Sequence, residues 1–156
     1  MTEIINQDHE NKKYLPGVQL PENVVAVPDI GQAVEGATAI VFVMPHQCMS
    51  ISSSLDTREL TSVLNKVLST MEGKLPKDAS VKAISLIIGV HVEGEHITLF
   101  ADLISEKLGV SCSALSGANI APEVARDRFS ETTIGYRKKE EGEMWHELFG
   151  MSVSLA

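Results

Sequence analysis

Short apolar runs alternate with amphipathic ones along this chain. Ala39-Ile40-Val41-Phe42-Val43-Met44, Val81 to Ile88 and Val110 to Leu115 are apolar at most positions. A strand with one wet face would alternate polar and apolar residues, so such runs predict strands buried on both faces of a parallel sheet. Between them the spacing lengthens. Leu60, Val63, Leu64, Val67, Leu68 and Met71 recur at three and four residues, the stripe of a core-facing helix, and Asp56 with Glu59 forms a capping-box pattern before it. Ile97 to Leu108 predicts a second amphipathic helix, stopped by Gly109.

The remaining elements are shorter. Thr2 to Asp8 predicts a helix end, and residues 11 to 23 a loop punctuated by Pro16, Gly17 and Pro21. Val24 to Val27 predicts a strand. Asp29 predicts the cap of a helix running to Glu35, with Gly36 ending it. Ile120 to Arg128 predicts a helix, Thr132 to Tyr136 a strand, and Gly142 to Phe149 a final helical turn or two. Strands alternating with helices make this an α/β chain built of βαβ units.

Composition sharpens the picture. The 156 residues suffice for one domain with its own core, 44% hydrophobic but only 4% aromatic. No apolar run approaches the roughly 20 residues of a membrane helix. The opening is polar and charged rather than a signal-peptide core, so no membrane association and a cytoplasmic location are expected. The net charge of −8 argues against nucleic acid. The basic cluster Arg137-Lys138-Lys139, followed by Glu140 and Glu141, reads as a solvated loop. Cys48 and Cys112 have no metal-ligand spacing, and Cys112 reads as a small buried hydrophobe. His91 and His96 flank Glu93 and Glu95 without a fixed helical spacing, so a solvated turn is expected there and no metal.

The candidate chemistry gathers after the third apolar run. Ser116-Gly117-Ala118 reads as a small-residue turn that lets a ligand approach the backbone. Asn119 stands where an N-cap belongs, with Pro122 and Glu123 in the first helical turn, an arrangement suited to a polar or anionic group. Pro45, His46 and Gln47 follow the first apolar run, at a strand's carboxyl end, where open α/β sheets bind ligands.

The segments Ser116 to Ala125, Phe129-Ser130-Glu131-Thr132-Thr133-Ile134-Gly135, Ala39 to Gln47 and Ala83 to Val90 occur together with Lys13-Tyr14-Leu15-Pro16-Gly17 and Leu20 to Ala26. Together they resemble the NAD-dependent glycerol-3-phosphate dehydrogenases, over most of residues 2 to 149. The resemblance implies NAD as cofactor and sn-glycerol 3-phosphate and dihydroxyacetone phosphate as substrates. It places Pro45, His46, Cys48 and Ala121 on the cofactor side and Asn119 at the substrate. Cys48 stands where the family has an aromatic residue against the cofactor, and Ile88 where it has a lysine that contacts substrate. Isoleucine carries no charge and no donor.

The resemblance also implies an incomplete Rossmann-type, doubly wound, mostly parallel sheet, lacking the first two strands and the helical substrate domain. Residues 1–150 would be a partial NAD-binding domain, with a Ser-rich insertion near 48–58 and an unassigned tail at 151–156. No G-x-G-x-x-G occurs in the chain, and no lysine follows Lys139, so no catalytic residue is assigned. In the strand order 3-2-1-4-5-6, absent strands 1 and 2 would leave Ala39–Met44 as an open edge inviting a homodimer or other association. Three readings stay open: a dehydrogenase-family chain inactive by itself at this length, a non-catalytic nucleotide-binding or subunit-pairing fragment, and a truncated product without function.

Overall fold

The structure, a computed structural model, describes residues 1–44, 57–76, 81–87, 89–93 and 95–150. Among these, β1 (Ala39–Phe42), β2 (Lys82–Ser85), β5 (Ser111–Ala118) and β6 (Glu131–Gly135) form a sheet in the order β1-β2-β5-β6. β1, β2 and β5 run parallel, and β6 is antiparallel to β5. The three apolar runs thus lie side by side and point the same way. β3 (Val90–Glu93) and β4 (His96–Leu99) form a separate antiparallel hairpin.

One face of the sheet is covered by α2 (Ile30–Ala33), α3 (Thr57–Met71) and α4 (Phe100–Leu108). Leu60, Leu64, Leu68 and Met71 of α3 are buried against Phe42, Ala83, Phe100, Ile104 and Cys112. The helical stripe holds except at Val63, which is exposed. Asp29 caps α2 as expected, its carboxylate accepting from the Gln32 N–H at 2.8 Å. Gly109 ends α4 in the left-handed region, φ +67°, its N–H bonded to the Ser105 carbonyl.

The other face is covered by α6 (Lys139–Gly150). It is twelve residues long, not the one or two turns expected, because Trp145 is buried in a cluster with Ile84 and Leu115 and anchors it. Its amino end is tied down by Glu141, which is buried and accepts from Ser111 Oγ at 2.6 Å, with Lys82 Nζ at 3.6 Å.

Four expectations are corrected. Val24–Val27 is not a strand. Its backbone partner is a side chain of α1 (Thr2–Asp8): the Ala26 N–H donates to Asn6 Oδ1 at 2.6 Å and Asn6 Nδ2 donates to the Ala26 carbonyl at 3.0 Å. α4 starts at Phe100 rather than Ile97, since Ile97 to Leu99 pair with β3. The helix expected over Ile120–Arg128 is regular only in α5 (Ala121–Val124). Ser116-Gly117-Ala118 is strand rather than turn, because β6 pairs with it and extends β5.

Of the Ser-rich insertion near 48–58, residues 48–56 lie outside the described residues, and Thr57 and Arg58 belong to α3. The tail 151–156 also lies outside them, as do Asp56 of the expected capping box and Gly94.

Candidate functional site

β1, β2 and β5 all deliver their carboxyl ends to one side of the sheet, and a cleft of about 500 Å³ opens there. Val43 follows β1, Leu86 follows β2 and Asn119 follows β5; α5 contributes Ala121 and Val124, and the end of α6 contributes Leu148 and Phe149. The residue after each strand of a parallel sheet is where the backbone turns away and leaves a crevice, so this is the position at which such folds bind ligands.

The walls are mainly apolar. The polar lining side chains are Asn119, Ser130 and Thr132. Asn119 does not cap α5, whose N-cap is Ile120 with no side-chain cap bond. Its Oδ1 instead accepts from Thr132 Oγ1 at 3.0 Å, across the start of the β5–β6 pair. The correction has a simple cause: β5 runs on to Ala118, so the chain turns into the helix one residue later than the sequence suggests.

Gly117 owes its place to the sheet rather than to a ligand. A Cβ there would lie 1.9 Å from the Glu131 carbonyl oxygen, so only glycine lets β6 come this close.

Ala121 and Asn119 both line this one cleft. Pro45, His46, Cys48 and Ile88 lie outside the described residues. Ser130, Thr132, Leu148 and Phe149 were missed. The signal for Thr132 was its place in the strand that follows α5, where an antiparallel return brings it back to Asn119.

Other titratable groups sit apart from the cleft. Cys112 faces the α3–α4 core; burial, then the Asp102 and Glu141 carboxylates, push its thiol up to about 12, so it is no nucleophile at neutral pH. His91 Nδ1 lies 3.0 Å from Thr61 Oγ1, joining the hairpin to α3 rather than standing in a solvated turn. Arg137 is not merely solvated either, since it pairs with Asp102 at 2.6 Å. Among the described residues, no group of three or more His, Cys, Asp or Glu could hold a metal ion, and no helix is long and apolar enough to cross a membrane.

Comparison with known proteins decides the family. The family described as NAD-dependent glycerol-3-phosphate dehydrogenase N-terminus matches residues 1–142. The chain belongs to the NAD-dependent glycerol-3-phosphate dehydrogenase family. It is 47% identical over 137 residues to glycerol-3-phosphate dehydrogenase [NAD(+)] of Candida tropicalis, covering 88% of this chain and 31% of that protein. It is 43% identical over 148 residues to the human glycerol-3-phosphate dehydrogenase 1-like protein, covering 95% of this chain and 37% of that protein. The solved Saccharomyces cerevisiae glycerol-3-phosphate dehydrogenase superposes with a TM-score of 0.71 at 42% identity, over 89% of this chain and 35% of that one. The chain thus spans about a third of the length of the curated relatives it matches. The matched region of this dehydrogenase-family chain includes the parallel strands and Asn119, while Leu148 and Phe149 of the cleft lie beyond it.

Proposed function

We propose that residues 1–150 supply the nicotinamide end of an NAD platform for hydride transfer between NAD(H) and sn-glycerol 3-phosphate or dihydroxyacetone phosphate. The observation that carries this reading is the apolar cleft with Asn119 at the carboxyl ends of three parallel strands, in a chain of this family. A planar, weakly polar ring with one carboxamide suits such walls. Leu86, Leu115 and Val124 would flank the ring and keep water from it, and Asn119 would meet a substrate or carboxamide oxygen. When bound, NAD supplies the redox chemistry, and the protein supplies orientation and electrostatics.

The described lining has no Lys, Arg or His. It offers nothing to counter a phosphate charge or to carry the substrate proton. Pro45, His46 and Cys48 are proposed, from the family resemblance alone, as the cofactor-side loop, and Ile88 as the residue standing where the family places its substrate lysine. With proximity and proton handling absent from the described cleft, the chain binds the cofactor weakly and does not turn over by itself. Its β1 edge, unpaired on one side among the described residues with Val41 and Val43 exposed, supports association with a second copy.

Calorimetry and an NADH-consumption assay with dihydroxyacetone phosphate test the proposal on the purified chain. Binding of NADH in the millimolar range without turnover is the expected result. No heat at millimolar NADH would sink the cofactor reading, and turnover would sink the claim that the chain is inactive alone.

A further inference from the structure

One hydrogen bond sets which way the Asn119 carboxamide faces. Thr132 Oγ1 donates to Asn119 Oδ1 at 3.0 Å, and both residues line the cleft. A threonine hydroxyl has one proton to place, and Oδ1 is the acceptor that takes it. In the flipped amide, Nδ2 would donate to the hydroxyl oxygen, and the hydroxyl proton would have to turn away from Asn119. The planar amide puts Nδ2 on the opposite side of Cγ from Oδ1. Among the described residues no acceptor takes its two N–H groups, so they remain for a ligand.

We propose that Thr132 is a positioning residue: it locks the Asn119 amide with its donors free, so that the cleft selects a ligand group by an acceptor oxygen, a carbonyl or hydroxyl, and disfavours a donor such as an amine. The inference rests on reading the cleft as the nicotinamide and substrate end. The sequence cause lies one strand away. Gly117 pairs with Thr132, and the missing Cβ at Gly117 lets β6 approach β5 closely enough for the hydroxyl to reach the amide. A glycine in one strand thereby sets the orientation of a side chain beyond its end.

The test compares the labelled full chain with Thr132→Val, which keeps the branched shape without the hydroxyl, and Thr132→Ser, which keeps the hydroxyl. Thr132→Ala is the second hydroxyl-free variant should valine disturb β6. NMR relaxation of the Asn119 side-chain amide needs no ligand. Its order parameter is expected to fall below about 0.6 in the valine variant and to be retained in the serine variant, with backbone shifts of β5 and β6 in place. Titration with dihydroxyacetone phosphate plus NADH is expected to show affinity about fivefold lower for Thr132→Val and within about twofold of wild type for Thr132→Ser. An Asn119 amide equally ordered without the hydroxyl overturns the positioning role, whatever the ligand does. Loss of order with unchanged affinity overturns the selectivity. Failure of the wild-type chain to bind either compound defeats the reading of the cleft and with it the selectivity, while the order parameter still decides the positioning role.

Discussion

The two faces of the sheet are finished to different degrees. Beneath α3 and α4, Leu64, Leu68, Ala83 and Ile104 are wholly buried, and the cover reaches from Phe42 on β1 to Cys112 on β5. On the α6 face the cover is Trp145 over Ile84 and Leu115, with Leu86, Ile134, Met144 and Phe149 beside them, and among the described residues it does not reach β1. There Val41 is 41% and Val43 63% exposed. Apolar burial at about 25 cal/mol per Å² is the main favourable term in folding. Stability should therefore reside on the first face, while the second leaves room for a cleft and, among the described residues, an unpaired β1 edge.

Substitutions can break this comparison. Leu64→Ala, in the α3 core, is expected to cost about 3 kcal/mol in urea denaturation, because the packed surroundings cannot collapse into the void. Gly117→Ala should cost about 2 kcal/mol, since the new methyl meets the Glu131 carbonyl and forces β5 from β6. The same variant should move the Asn119 side-chain resonances. Trp145→Phe should change stability by less than about 1 kcal/mol: it loses buried area but removes an indole N–H that is buried without a partner among the described residues. Val43→Ser, on the uncovered end of the second face, should stay within about 0.5 kcal/mol and reduce any self-association seen by sedimentation.

Cys112 sharpens the comparison by pH. Its thiol is raised from 9.0 to about 12, so the unfolded chain ionises first. The stability it contributes is present in full below pH 9.0 and lost as pH rises toward about 12. Thermal melts of wild type should therefore fall more steeply above pH 9 than those of Cys112→Ala. Equal slopes would show that the thiol is not sealed into the core.

Much of this was legible in the sequence, and the failures share a cause. The three parallel strands, the α3 stripe, the Asp29 cap and the Gly109 stop follow from local patterning, which the packing then obeys. Val24–Val27 was misread because a strand pattern cannot reveal that its partner is the Asn6 amide. The reading of Ser116-Gly117-Ala118 as a turn failed because β6, thirteen or more residues on, supplies the pairing. Ile97 carries a helical spacing yet is 71% exposed on β4, where pairing with β3 overrides periodicity. In the cleft, Asn119 and Ala121 were singled out through the family motif, and both line it. Thr132 was not, because its role depends on the approach of two strands.

The most direct measurement is a backbone and side-chain NMR titration of the labelled chain with NADH. The account predicts that shifts concentrate at Leu86, Leu115, Asn119, Ala121 and Thr132, around the carboxyl ends of the parallel strands. It is contradicted if these resonances stay in place at millimolar NADH, or if the shifts gather instead at the cleft beside Met71, Lys107 and Gly109, at the strands' opposite ends.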